Sequence, residues 1–438
     1  MTDWKEDDRV HAWHPYTQML NAPPPLGIER AEGVYLYTSD GKKILDGISS
    51  WWVNSLGHSN PRLNSALSRQ VEKLQQVIFA GATHPGAAKL AARLAAITPG
   101  ELDHCFYSDD GSTAVEVGLK MAAQYWRNRK EEGRTLFVSM TNSYHGDTFG
   151  TMALGGSPVF HTNFSPFFFP VRHFEYGRKE SRDAAPAASL GAQGDGSLEE
   201  ILEREGDKIA GVVIEPMLQG AGGMILWPSS SLIEIRELCD HYGTLLIADE
   251  VFTGFGRTGK LFACEHGPIV PDIICLSKAL TAGYMPLAAT LSTDRIYESF
   301  LSEDRGKTFF HGHSFTANAL ACAVALENLD ILEEENILAR IAGIEKLFGE
   351  RLAKLQELPT VNNPRCIGSL AALDVKPPGA AGGGYLDAIG PKLYSEFLER
   401  GILLRPLGNV LYFLPPYIIS DAEIHHVFDA IEEVLGTL

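Results

Sequence analysis

Two apolar runs that each stop at a single charged residue constrain this chain most. Residues 244–251 read TLLIADEV and deliver Asp249; residues 272–280 read DIICLSKAL and deliver Lys278. Apolar runs without polar alternation suit strands covered on both faces, as in a parallel sheet sandwiched by helices. In open α/β sheets, ligands sit beyond the C-terminal strand ends, where both charges stand. A lysine and an aspartate at neighbouring strand ends suit a pyridoxal phosphate (PLP) site, the amine holding an aldehyde as a Schiff base and the carboxylate keeping a pyridine nitrogen protonated. An ion pair at the sheet edge accounts for the same two residues equally well.

The rest of the chain sets the frame. Its 438 residues exceed what one core of about 250–300 residues holds. With 45% hydrophobic and 21% charged residues, the composition is that of a globular protein. A net charge of −18 argues against a nucleic-acid partner, while leaving room for a local basic pocket. The start, MTDWKEDDRV, lacks the basic and apolar regions of a secretory signal, and no apolar run approaches the ~18 residues of a membrane span. Six scattered cysteines without a C-x-x-C pair fit a reducing compartment, so a cytoplasmic protein with no membrane contact is expected.

Between about residues 85 and 330, helix-like segments such as STAVEVGLKMAAQYW alternate with strand-like DHCFYSD, TLFVSM and IAGVVIEP. This alternation predicts a doubly wound, mostly parallel sheet. Residues 61–330 are therefore expected to form a large domain, and 331–438 a smaller α/β domain. Residues 1–60 show no sheet-building alternation beyond a hairpin-like GVYLYTSDGKKILD and are expected to pack against the C-terminal part. The segments 178–197 and 376–384, rich in Ala and Gly, read as solvent loops.

Further strand ends carry chemistry. Gly111-Ser112-Thr113 opens a patterned helix, with Thr113 and Glu116 spaced as a capping box. Free N–H groups and the positive dipole end there suit a phosphate, though an ordinary N-cap explains the same residues. Tyr144, in YHGD after TLFVSM, could stack on a flat ring, and Val251 could pack on its other face; a rim tyrosine over a turn is the alternative. Glu215 ends GVVIEP as another carboxylate at a strand end. The run from Gly254 to Lys260 satisfies G-x-G-x-x-G, but four residues separate it from its strand and no helical period follows, so it reads as a loop presenting Arg257. His311 and His313 have no third ligand at a useful spacing, so no metal is expected; Ser314 suits a turn before the next helix. Trp51 and Trp52 cannot both face inward on a strand, so one lines a pocket or an interface, or else the pair is buried at a bend.

Across nearly its whole length the sequence resembles the class III aminotransferases, PLP enzymes of fold type I. The strings ADEVFTGFGRTG, LSKALTAG, YHGDTFG, EPMLQGAGGM and HGHSFTANALACAVA carry the likeness. Within that family, HPYTQM, GISSWW and RPLGNVLYFLPPYII look like the branch that aminates 8-amino-7-oxononanoate to 7,8-diaminononanoate for biotin, with S-adenosyl-L-methionine as the usual donor. The resemblance implies that Lys278 carries the cofactor and shuttles the substrate proton, and that Asp249 pairs with the pyridine nitrogen. It implies that Tyr144 and Val251 sandwich the ring and that Gly111 and Ser112 hold the phosphate. It also implies a homodimer with shared sites, Ser314 reaching the phosphate from the second subunit. Some members carry Pro-Thr where this chain has His313-Ser314, which keeps the hydroxyl. Tyr16, Trp51 and Trp52 match substrate-pocket positions, Arg405 matches a receptor for the oxononanoate carboxylate, and Arg257 matches a further pocket position. Lysine as donor, another class III ω-amino acid or diamine transaminase, and a PLP-binding protein without catalysis are the alternatives.

Overall fold

A computed structural model describes residues 4–175, 194–376 and 384–438. The segments expected to be solvent loops lie mostly outside the described residues. Seven strands build the main sheet: β1 His104–Ser108, β2 Leu136–Met140, β3 Val171–Phe174, β4 Ile209–Ile214, β5 Leu245–Asp249, β6 Ile273–Leu276 and β7 Ala288–Ser292. Their order is β3-β2-β4-β5-β6-β7-β1. Each neighbouring pair from β3 to β6 is parallel, and β7 runs against both of its neighbours. This is the expected mostly parallel α/β sheet, with one antiparallel strand, β7, between β6 and the edge strand β1.

The unbroken apolar runs are explained by burial on both faces. On β5, Leu245 and Ile247 pack with helix α1 (Gly111–Asn128), while Leu246 and Ala248 join the core on the opposite side. Register then aligns the strand ends. Asp249 lies opposite Cys275, and Ala248 lies opposite Ile214, the residue before Glu215. Asp249, Glu215 and Lys278 therefore emerge along one edge of the sheet.

The N-terminal residues contain more sheet than their pattern suggested. Ile28–Glu32, Tyr35–Thr38 and Lys43–Asp46 form three strands of a four-stranded sheet, completed by Ile402–Leu403 lying parallel to Lys43–Asp46. A five-residue strand exposed along most of its length cannot show core-facing alternation, which is why Ile28–Glu32 was not legible. Val34 and Leu45 share a core with Phe348, Phe397, Phe413 and Phe428 from the C-terminal part. No helix among the described residues is long and apolar enough to cross a membrane.

Candidate active site

A cavity of 430 Å³ opens at the C-terminal edge of the main sheet, lined by Lys278, Asp249, Tyr144, Val251, Gly111, Ser112 and Trp52. Asp249 and Lys278 do not form the sheet-edge ion pair. Asp249 is buried, with one oxygen 2.7 Å from His145 Nδ1 and the other accepting from the Val251 N–H at 3.1 Å. Lys278 has neither hydrogen bond nor ion pair among the described residues; its Nζ lies 4.8 Å from the Trp52 ring and 5.1 Å from Phe252. Desolvation against these rings, aided by Arg257 and opposed by Asp249 and Glu215, lowers its pKa to about 8. The site thus holds an amine that gives up its proton easily, an attribute of nucleophilic lysines.

Behind Asp249 stands a buried triad. His145 is desolvated, yet the Asp249 hydrogen bond and the nearby Glu215 outweigh that loss and raise its pKa. Its Nε2 lies 3.1 Å from Ser139 Oγ. Burial pushes Glu215 up to about 7, while its oxygens accept from the Tyr144 and Gly220 N–H groups at 2.9 and 3.0 Å. Sequence reasoning gave His145 no role, although it sits in the same YHGD turn as Tyr144. A histidine after a strand carries no sign of the aspartate it will face from another strand.

The helix start differs from expectation in its cap. Asp110, not Thr113, is the N-cap of α1: its carboxylate accepts from the Thr113 N–H at 2.9 Å, and Thr113 Oγ1 accepts from the Asp110 N–H at 3.0 Å. Glu116 turns away, accepting from Thr148 Oγ1 and the Gly150 N–H. The N–H groups of Gly111 and Ser112 have no acceptor among the described residues and face the cavity end of an 18-residue helix. A Cβ at Gly111 would come 2.4 Å from Val251 Cγ1. One at Gly146, where φ is +129°, would come 2.1 Å from Ser112 Oγ. Both close approaches keep this corner compact.

At the mouth, Tyr144 OH and Tyr16 OH both donate to Asp147 Oδ2, at 2.9 and 2.6 Å, and lie 3.1 Å from each other. Burial, reinforced by the hydrogen bonds to Asp147, raises the pKa of both phenols. Tyr16 then meets Trp51 edge-on, ring centroids 5.6 Å apart, and the Arg405 guanidinium lies 4.4 Å over Trp51. Arg405 has no hydrogen bond or ion pair among the described residues, so its donors are available to a ligand.

The tryptophans stand on an unusual turn. Ser49, Ser50, Trp51 and Trp52 have φ of 48°, 43°, 71° and 71°, one turn of left-handed helix in four residues that are not glycine. Such backbone costs roughly 1–2 kcal/mol per residue, so tertiary ties must hold it. They include Ser49 Oγ donating to the Leu414 carbonyl (2.7 Å) and Trp52 Nε1 donating to Tyr412 OH (3.1 Å). The turn resolves the tryptophan question by sending Trp52 inward beside Lys278 and Trp51 outward, 41% exposed, under Arg405.

Five expected site residues do not line the cavity: Tyr16, Trp51 and Arg405 meet one another beside Tyr144, while Arg257 and Ser314 join neither group. Arg257 is folded inward rather than presented by its loop. Fully buried, it donates to the Trp52 carbonyl at 3.3 Å, to Ser369 Oγ at 3.1 Å and to the Pro415 carbonyl at 3.4 Å. It therefore ties the tryptophan turn to the C-terminal part without facing the pocket. Ser314 is exposed and does not line the cavity, and the helix after it is capped by Asn318 instead. His313 Nδ1 lies 3.0 Å from Asp109, which does line the cavity.

Comparison with known proteins settles the family. The family model of class III aminotransferases matches residues 17–435. The chain belongs to the class III aminotransferases. It is 44% identical to the adenosylmethionine-8-amino-7-oxononanoate aminotransferase of Geobacter sulfurreducens over 100% of this chain and 98% of that one. A solved structure of the enzyme of that name from Methanocaldococcus jannaschii is 38% identical, with a TM-score of 0.90 over 99% of this chain and 98% of that one. A PLP-bound amine transaminase from an uncultivated Pseudomonas species is 32% identical, with a TM-score of 0.87 over 97% of this chain and 98% of that one. This chain is accordingly a PLP-dependent transaminase of fold type I. The residues present fit that cofactor: an unpaired lysine of lowered pKa, a buried carboxylate for the ring nitrogen, and two open N–H groups at a helix start for the phosphate.

Proposed function

We propose that the enzyme aminates 8-amino-7-oxononanoate to 7,8-diaminononanoate in biotin biosynthesis, with S-adenosyl-L-methionine as amino donor. The observation that carries this reading is Arg405, stacked on Trp51 without a carboxylate of its own, at the outer end of an aromatic wall running from Trp52. A long apolar acceptor with a terminal carboxylate suits that wall, since guanidinium binds carboxylate through two parallel hydrogen bonds. The full-length likeness to relatives bearing that enzyme's name, at 37–44% identity, supports the same choice over the amine and ω-transaminases at 29–33%.

Lys278, Asp249, Tyr144, Val251, Gly111 and Ser112 would hold the cofactor. When bound, PLP supplies an aldehyde that takes up the amino group and a protonated ring that stores the electrons of the broken Cα–H bond. Asp249, steadied by His145, would keep the ring nitrogen protonated. Lys278 Nζ, as a neutral base of lowered pKa, would hold and move the substrate's Cα proton. Asp147, accepting from Tyr16 and Tyr144, orients both phenols along the substrate path.

Two subunits would share the sites. Ile78, Phe310 and Phe315 are 67%, 77% and 60% exposed, and Gln76 Nε2 donates to the Ser314 carbonyl at 3.0 Å, tying their two segments together. This apolar surface suits a homodimer in which Ser314 reaches the partner's phosphate site. Six free cysteines suit a cytoplasmic setting.

A spectral titration tests the assignment. S-adenosyl-L-methionine should convert the bound cofactor to its amine form, and 8-amino-7-oxononanoate should restore it. Conversion by lysine in its place would change the donor; conversion by γ-aminobutyrate or ornithine alone would make this an ω-amino acid or diamine transaminase.

A further inference from the structure

Asp46 closes the strand Lys43–Asp46 and is fully buried, yet it does not line the cavity. Its whole acceptor capacity is directed at the tryptophan turn and one histidine. The carboxylate accepts from the Ile48 N–H at 3.3 Å, the Ser50 N–H at 2.9 Å and Ser50 Oγ at 2.7 Å, and His58 Nε2 lies 2.9 Å from it. Those contacts fall on the entry and second residue of the left-handed segment, where the backbone must be turned against its preference. An aspartate can serve all four donors at once, two on each oxygen; no neutral side chain of that size can.

The geometry points to Asp46, backed by His58, as a positioning residue. It holds residues 49–52 in the left-handed turn that sets Trp51 under Arg405 and Trp52 beside Lys278. Trp51 and Arg405 lie away from the reacting lysine, so the loss of Asp46 should fall more heavily on acceptor binding than on the rate of the chemistry. This rests on the reading that Trp51, Trp52 and Arg405 receive the acceptor. The function of Asp46 is separable from packing because the turn has a chemical substitute: glycine adopts positive φ without the cost other residues bear. If Asp46 exists to hold Ser50 in that conformation, glycine at 50 makes the carboxylate dispensable.

The test uses the PLP-loaded enzyme and 8-amino-7-oxononanoate. Asp46→Ala should raise KM for this acceptor about tenfold or more, the loss expected for charge-assisted hydrogen bonds, with kcat and PLP occupancy little changed. Asp46→Asn, which keeps both backbone acceptors and can reverse the other two bonds, should stay within about threefold of wild type. Asp46→Ala combined with Ser50→Gly should recover most of the loss. Acrylamide quenching of tryptophan fluorescence should rise in Asp46→Ala and fall back in the double variant, as the indoles of the turn are released and then held again. A wild-type KM in Asp46→Ala, or a double variant no better than the single, overturns the proposal. If Asp46→Ala does not fold, Ser50→Ala and Ser50→Gly decide: alanine should raise KM and glycine should not, and equal KM values overturn it. A wild-type enzyme that fails to aminate this acceptor would sink the functional reading instead. The quenching pattern would then still decide whether Asp46 holds the turn.

Discussion

At the scale of single residues, environment separates groups of the same type. Lys278 is an amine beside two packed aromatic rings, and desolvation lowers its pKa from 10.5 to about 8. Below that pH the cofactor-free enzyme carries an ammonium, which cannot attack an aldehyde; above it the amine is neutral. The rate of PLP uptake by the cofactor-free enzyme should therefore rise with pH through a midpoint near 8 and level off above it, measured by stopped-flow absorbance. Lys278→Ala should bind PLP without the covalent spectral change and lose turnover while remaining folded. The two unusual arginines divide in the same way. Arg405 is partly buried over Trp51 with no partner carboxylate among the described residues, so Arg405→Ala should raise KM for the oxononanoate about tenfold or more, leaving PLP affinity unchanged. Arg257 is buried and bonded to two carbonyls and a hydroxyl, so Arg257→Ala should cost about 3 kcal/mol of stability, read by urea denaturation, before it touches specificity.

At the scale of elements, α1 shows what local sequence can and cannot say. That a helix begins near Gly111 with free N–H groups was legible, because glycine and hydroxyl residues precede an apolar period. Which residue caps it was not. Both T-x-x-E from Thr113 and D-x-x-T from Asp110 satisfy capping geometry, and the choice depends on where β1 releases the chain. Asp110→Ala should weaken the cap by about 1 kcal/mol. Amide exchange in the first turn should quicken about fivefold, and PLP retention should fall with it. Glu116→Ala should leave that turn unchanged and loosen residues 148–150 instead.

At the scale of the whole molecule, the site is assembled from segments far apart in the chain. Tyr16 meets Tyr144, Trp52 meets Lys278 and Tyr412, and Trp51 meets Arg405. The apolar surface around Ile78, Phe310 and Phe315 belongs to this scale too. If the proposed homodimer forms through this surface, Phe310→Asp with Phe315→Asp should leave a monomer in analytical ultracentrifugation and lower cofactor occupancy. A dimer that survives both changes would place the interface elsewhere.

The sequence by itself determined the parallel sheet, the positions of Asp249, Lys278, Tyr144 and Gly111 at its edge, and the family. The sheet and its edge residues are written in short-range pattern, in apolar runs, their endpoints and the turns that follow them; the family is carried by resemblance across strings such as ADEVFTGFGRTG and LSKALTAG. Only the tertiary structure decided that Asp249 pairs with His145 rather than Lys278, and that Arg257 turns inward while Arg405 stays open. It alone placed two adjacent tryptophans on a left-handed turn with opposite destinations. The pairings depend on partners tens to hundreds of residues away, and a left-handed turn without glycine has no signature in residue propensity, because the backbone's own preference opposes it. It exists only where side-chain and backbone acceptors, the nearby Asp46 and the distant Leu414 among them, hold it against the backbone's own preference.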